Sequence, residues 1–287
     1  MADKLMRAVL YDSYGGGAAA LKHVDVPIPS PKKDEVLLKL EASSINPVDW
    51  KIQKGMLRPF LPRKFPFIPV SDVAGEVVGV GSGVKNFKEG DKVVAMLNVL
   101  SGGGFAEYAT ASESLTVKRP SEVPPPDGAG LPVAGLTALQ MLTRAVGIKF
   151  DGSGKRANVL VTAASGGVGH YAVQLAKLGD LHVTATCGAR NIELVKSLGA
   201  DEVVDYKTTE AGTFLNFVCK KLMWSKKQLV PLVLSPKAEN LDFLVQLVKD
   251  GKLKTVVDSK YPLSKAEDAW AKIMDGHATG KVIVEMC

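Results

Sequence analysis

The feature that most restricts the fold is the stretch Thr162-Ala163-Ala164-Ser165-Gly166-Gly167-Val168-Gly169. It follows an apolar run, Asn158-Val159-Leu160-Val161-Thr162, and opens a helix-patterned segment, Gly167 to Leu178. A second short run, His182-Val183-Thr184-Ala185-Thr186, comes next, then a helix pattern from Asn191 to Leu198 and a third strand candidate around Glu202 to Asp205. Strand and helix alternating at this interval indicate βαβ units in a parallel sheet. Glycines at the first turn let the backbone approach a diphosphate, whose charge meets free N–H groups and the positive end of the helix. A tight structural turn would use the same glycines; the strand-turn-helix-strand setting is what points to dinucleotide binding.

The choice of dinucleotide turns on the end of the second strand, where a carboxylate would hydrogen-bond the ribose 2′-hydroxyl of NAD. This chain has Cys187-Gly188-Ala189-Arg190-Asn191 there, with no acid. The Arg190 guanidinium suits a 2′-phosphate, which favours NADPH. The alternative is that Arg190 simply starts a helix on the surface.

Upstream, the pattern changes. Short β-like runs separated by Gly and Pro cover Arg7 to Tyr11, Glu35 to Ala42, Val73 to Val80, Lys92 to Met96, Phe105 to Thr110 and Leu115 to Lys118. Pro124-Pro125-Pro126 breaks this β-rich region, and Asp127 begins a small-residue helical stretch reaching about Ala145. After Lys207 helices are expected at Phe214 to Met223, Ala238 to Lys249 and Lys265 to Met274, the last with Ser264 as its N-cap. Strands are expected at Leu229 to Leu234 and Lys281 to Glu285. A chain of 287 residues accommodates two domains. They are expected at 1–126, completed by 252–287, and at 127–251.

Composition excludes several classes. The uncharged run between Asp127 and Arg144 is interrupted by Gly and Pro and is shorter than the roughly 20 apolar residues of a transmembrane helix. The first residues enter a strand pattern without an apolar signal core, so no cleaved targeting peptide is expected. Cys187, Cys219 and Cys287 are widely spaced and odd in number, which argues against disulfides and against a CxxC metal site. His23, His170, His182 and His277 are isolated, and the N-terminal domain holds no cysteine, so no metal is expected. The net charge of +6 comes from scattered lysines, which fits a basic surface that draws in a phosphate-bearing cofactor better than it fits nucleic acid. Tyr261 and Lys265 have the Tyr-x3-Lys spacing of short-chain dehydrogenases, but Pro262 disfavours the continuous helix that pair needs.

A β-rich half followed by a dinucleotide fold resembles the quinone oxidoreductase branch of the medium-chain dehydrogenase/reductase superfamily, in particular its plant chloroplast-envelope members. The resemblance rests on Asn46-Pro47-Val48-Asp49-Trp50-Lys51, Asp72-Val73-Ala74-Gly75-Glu76-Val77, Gly90-Asp91-Lys92-Val93, Leu131 to Ala138 and Ala163 to Gly169. It implies an α/β protein: a GroES-like β domain plus a shortened Rossmann-type parallel sheet domain. It also implies NADPH-dependent, zinc-independent reduction of α,β-unsaturated carbonyls or quinones by direct hydride transfer. By position Gly167 and Val168 would touch the pyrophosphate, with Ser165, Gly166 and Thr137 in the same cofactor set; Gly188, Ala189, Arg190 and Tyr206 would surround the 2′-phosphate. Lys51 would reach the nicotinamide side, with Asn46 and Asp49 as neighbours. A cation there would lower the barrier to charge building on the carbonyl oxygen; the alternative is that Asp49 and Lys51 are ordinary loop charges. A small-molecule enone or quinone is the implied partner, with a monomer or homodimer as the assembly and peripheral contact with the chloroplast inner envelope. A cytoplasmic location is the alternative.

One segment breaks the pattern. Only Lys207-Thr208-Thr209-Glu210-Ala211-Gly212-Thr213 separates Tyr206 from Phe214, where a fourth and a fifth strand with their connections would take roughly 40 residues. The gap reads as an internal excision that strips the first strand of its neighbour and exposes an edge. The rival functional reading is therefore a catalytically impaired NADPH-binding or membrane-peripheral protein.

Overall fold

The computed structural model describes residues 4–286 apart from positions 63, 152, 155 and 209–232. The chain parts into two compact units, Met1–Leu136 with Pro236–Cys287, and Thr137–Ser235. Residues 127–136 and 236–251 thus belong with the first unit, whereas the change in sequence character lies at 126/127 and 251/252. One reason is that the helix α2, Pro125–Ala129, packs under the sheet of the first unit.

That sheet has seven strands: β3 (Glu35–Ile45), β4 (Asp72–Val80), β5 (Lys92–Met96), β6 (Tyr108–Ser112), β7 (Thr116–Lys118), β11 (Val257–Pro262) and β12 (Lys281–Glu285). Its order is β11-β12-β3-β4-β5-β7, with β6 pairing the start of β3. In β3, Val36, Leu38 and Leu40 are buried in alternation, as a period of two requires when one face meets the core. Past a register shift between Leu40 and Ala42 the residues from Ala42 to Ile45 are all buried. A separate antiparallel pair, β1 (Leu5–Leu10) and β2 (Lys22–Pro27), completes the β structure of this unit.

Two helices matter for the site. The helix α1, Pro47–Gln53, follows β3 directly. The helix α7, Ala266–Met274, carries Trp270, which is fully buried against Phe105 at a ring separation of 5.7 Å. The Trp270 indole Nε1 donates to Gln53 Oε1 at 3.0 Å, and Gln53 Nε2 donates to the carbonyl of Gly17 at 2.8 Å. The far end of α1 is thereby pinned by residues distant in sequence.

In the second unit three parallel strands run in the order β10-β9-β8: β8 (Asn158–Val161), β9 (His182–Cys187) and β10 (Glu202–Asp205). The crossovers are α4 (Gly169–Leu178) and α5 (Ile192–Ser197). The helix α3, Pro132–Met141, carries the chain from the first unit into the second. Val183, Ala185 and Cys187 of the central strand are buried, whereas Val159, Leu160 and Val161 of β8 are only half-buried. Among the described residues β8 has one neighbouring strand, β9, and an edge strand keeps part of its surface open.

Several expectations need correction. The helical stretch expected from Asp127 to Ala145 is α2, then α3, then a π turn, Leu142–Val146; the break before Pro132 fits a residue that has no N–H to donate and disfavours helix at the position before it. Ser264 does not cap α7: it lies inside a 3-10 turn, Leu263–Lys265, and Lys265 holds the N-cap position. Tyr261 lies in β11, so it shares no helix with Lys265. The first strand pair partner β2, the helix α1 and the strand β11 were not foreseen. The expected helix at Phe214 to Met223 and most of the strand at Leu229 to Leu234 fall outside the described residues. Val233 and Leu234, which are described, are not in a strand. The helix α6, Ala238–Lys249, lies where the apolar spacing puts it.

Candidate functional site

The glycine-rich turn is built by close approach. A Cβ on Gly169 would lie 2.2 Å from the Ala163 carbonyl oxygen and 2.7 Å from Ala164 Cα, so only glycine lets α4 start against the end of β8. The turn is tied internally by Gly166 N–H to Ala163 O at 2.9 Å, and the buried His170 sets its Nδ1 2.9 Å from the Gly166 carbonyl. No side chain caps the first turn of α4. The positive end of the helix faces the glycine turn, the arrangement that a diphosphate uses. Ser165, Gly166, Gly167 and Val168 are half-buried along this turn, and the Asn191 amide donates to Ser165 Oγ at 3.0 Å. The loops leaving β8 and β9 are thus joined side by side.

At the end of β9, parallel pairing sets Asp205 opposite Cys187, and Tyr206 N–H donates to the Cys187 carbonyl at 3.1 Å. This register brings Tyr206 against Gly188: a Cβ there would come within 3.3 Å of the tyrosine Oη. Ala189 and Arg190 form a 3-10 turn with Asn191, both exposed. Gly188, Ala189, Arg190 and Tyr206 therefore share one corner, with no carboxylate among them. Thr137 lies half-buried on α3. Cys187 is buried and its thiol is pushed up by burial and by Asp205, which makes it a poor nucleophile.

The other sequence-identified residues form a different kind of site. Asn46 and Asp49 stand at the start of α1, where Asn46-Pro47-x-Asp49 places a capping residue, a proline at the first helical position and an acid two residues on. Asn46 N–H donates to Asp49 Oδ2 at 2.7 Å. The Asn46 side chain closes the capping box with Asp49 and also reaches beyond α1: its Nδ2 donates to Asp72 Oδ2 at 2.8 Å, and its Oδ1 accepts from Lys281 Nζ at 2.5 Å. Asp72 Oδ2 also accepts from the Val133 amide at 3.1 Å, at the start of α3. All four side chains are buried. Lys51, by contrast, is exposed on α1, with Nζ 5.7 Å from the Trp50 ring centroid.

Burial dominates the charge states in this knot. It raises Asp49 to about 7, against the opposing Asn46 amide, with Asp72 adding repulsion. It raises Asp72 to about 6, offset by Lys281 and Asn46. Burial also depresses Lys281, and the two carboxylates oppose that. Burial, with Asp49 adding to it, holds the Tyr11 phenol above its ordinary range. Asp72 Oδ1 finds no hydrogen-bond partner among the described residues. Sequence reading missed the roles of Asp72 and Lys281. Asp72 was visible as the acid that opens a largely apolar strand, but nothing local marks Lys281 as buried.

Among the described residues no group of three or more His, Cys, Asp or Glu is placed to hold a metal ion. The glycine turn and the segment Gly188 to Asn191, which carries no acid, fit a dinucleotide phosphate, since backbone space, amides and a guanidinium are what such a group needs.

Two family models match this chain: the alcohol dehydrogenase GroES-like domain over residues 32–121, and zinc-binding dehydrogenase over residues 214–284. The chloroplast envelope quinone oxidoreductase homolog of Arabidopsis thaliana is 64% identical, with 99% of this chain and 100% of that protein covered. That alignment spans 328 positions against 287 residues here, so at least 41 positions (328 less 287) have no counterpart in this chain. The NADPH-dependent alkenal/one oxidoreductase, chloroplastic, of the same plant is 36% identical, covering 98% of this chain and 80% of that protein. Among solved structures, the quinone oxidoreductase from Coxiella burnetii superposes with a TM-score of 0.85 at 28% identity, covering 99% of this chain and all of that one.

Proposed function

Because this chain belongs to the quinone oxidoreductase branch of the medium-chain dehydrogenase/reductase superfamily, a family of nicotinamide-dependent oxidoreductases acting on small molecules, we propose that it reduces α,β-unsaturated carbonyls or quinones with NADPH and without zinc. The observation that carries the cofactor choice is the corner at the end of β9, where Tyr206 packs on Gly188, Arg190 follows, and Gly188 to Asn191 offers no acid to a ribose 2′-hydroxyl. The relative named for NADPH-dependent alkenal/one reduction supports the same reading. The absence of any cysteine from residues 1–136 supports zinc independence.

When bound, the dinucleotide supplies the hydride. Ser165, Gly166, Gly167 and Val168 hold its diphosphate through backbone amides, and Arg190, Ala189, Gly188 and Tyr206 enclose the 2′-phosphate, with Thr137 nearby in the cofactor set. Lys51 is the residue we assign to the oxygen on which negative charge grows during reduction, because an exposed ammonium can neutralise it as it forms. Asn46 and Asp49 act through α1, as its buried start, and touch no substrate.

A second reading is a catalytically impaired nucleotide-binding protein at the chloroplast envelope. It draws on the at least 41 unmatched positions and on the half-exposed β8. Titrating NADPH and NADH separately into the protein, then adding an enone or quinone and following loss of NADPH absorbance, tests both. Preference for NADPH with turnover supports the enzyme. NADPH binding without turnover supports the second reading, and binding of neither nucleotide overturns both.

A further inference from the structure

Lys281 opens β12 and is 2% exposed, yet its ammonium has a polar neighbourhood made of residues more than 200 positions earlier in the chain. Stability alone does not call for a lysine here, since a buried ion pair is often no better than an apolar side chain of similar volume. What a lysine does that an apolar residue cannot is donate. Its contact with Asn46 Oδ1 forces the opposite edge of that amide, Nδ2, toward Asp72, so the amide has one orientation. Asn46 is also the residue from which α1 starts, with its own N–H held by Asp49.

The helix α1 has seven residues, too few to be stable on its own local hydrogen bonds. Its direction is set by anchors at its ends. Gln53 is held by Trp270 and Gly17, and Asn46 by Lys281 and Asp72. The exposed Lys51 sits between these anchors, two residues before Gln53. We propose that Lys281 is a positioning residue: by fixing the Asn46 amide it aims α1, and through α1 the Lys51 ammonium. The proposal rests on the reading of Lys51 given above. The charged and titratable groups around Lys281 are Asp72 on β4 and Asp49 on α1, with Tyr11 beyond Asp49.

The test uses the full-length protein with Lys281→Met and the double variant Lys281→Met/Asp72→Asn. The double variant also removes the Asp72 carboxylate that the single variant would leave without its facing cation, and so guards against a misfolded single variant. Two readouts separate this proposal from the enzyme assignment. Hydrogen exchange at the amides of 49–53, read by mass spectrometry, needs no activity and should speed up about tenfold in the double variant as the anchor is lost. In a parent with turnover, kcat should fall about tenfold while the dissociation constant for NADPH stays within about twofold, since the glycine turn is untouched. Unchanged exchange overturns the proposal whether or not the parent is active. Faster exchange with unchanged kcat in an active parent overturns the link to Lys51. A parent without turnover counts against the proposed enzyme alone, and exchange still decides the anchoring.

Discussion

In the first unit Asn46, Asp49, Asp72 and Lys281 are each at most 4% exposed and are drawn from three strands or their ends and a helix. In the second unit Ser165, Gly188, Arg190 and Tyr206 are half-buried or exposed, and successive parallel strands deliver them to one edge. The buried set is held by side chains bonding to side chains, and loss of one member strands the others in a medium that solvates charge poorly. The open set is placed by backbone geometry, through the parallel pairing of successive strands. A protein can change the open set one residue at a time, but the buried set only as a group.

The largest expected effect breaks the buried set. Asp72→Ala removes the oxygen that accepts from Asn46 Nδ2 and the Val133 N–H, and the negative charge facing Lys281, and should cost about 3–5 kcal/mol of stability, measured by urea unfolding. A loss below about 1 kcal/mol would show that the knot is no more demanding than the open corner. Next is Lys51→Met, expected to lower kcat about 100-fold, the scale seen when one donor to a developing oxyanion is removed, with little change in stability because the residue is exposed. Steady-state kinetics with an enone checks this, and an unchanged kcat removes Lys51 from the chemistry. Arg190→Ala should weaken NADPH about 10- to 100-fold, the value of a charge-assisted hydrogen bond, and leave NADH nearly unaffected. Equal losses for both nucleotides in a fluorescence titration would take the 2′-phosphate away from Arg190.

The smallest effect is a pH dependence that sharpens the contrast, since it belongs to the buried set alone. Asp49 and Asp72 are raised to about 7 and about 6 in the folded chain, above the 3.8 of an unperturbed aspartate. The folded chain therefore keeps protons that the unfolded chain has released, so stability is greatest below about pH 4 for these groups and is lost as pH rises toward about 7. Asp49→Asn removes one of them. Its denaturation midpoint should fall less than the parent's between about pH 5 and about pH 8; parallel curves would show that Asp49 does not titrate in that window.

The open corner was legible because local rules compose. A glycine turn after an apolar run starts a helix, and parallel pairing then puts residue 206 beside residue 188. Even the start of α1 was written in Asn46-Pro47-x-Asp49, though the turn residues there read as a loop. The strand β11 escaped notice because Val257 to Pro262 mixes charged and apolar residues without alternation and gains its place only by pairing with β12. Ser264 had the composition of a cap but not the backbone, since a 3-10 turn had already taken up that position.

By itself the sequence determined the α/β class, the alternation of three parallel strands with helices, the glycine turn after the first of them and the lack of an acid from Gly188 to Asn191, because each follows from spacing and residue type over a few tens of positions. Tertiary structure alone decided that Asp72 and Lys281 would be buried on either side of Asn46, and that Trp270 would grip the other end of α1. A charged side chain looks the same in sequence whether it faces water or a partner. The difference arises only when distant strands close over it and remove the solvent.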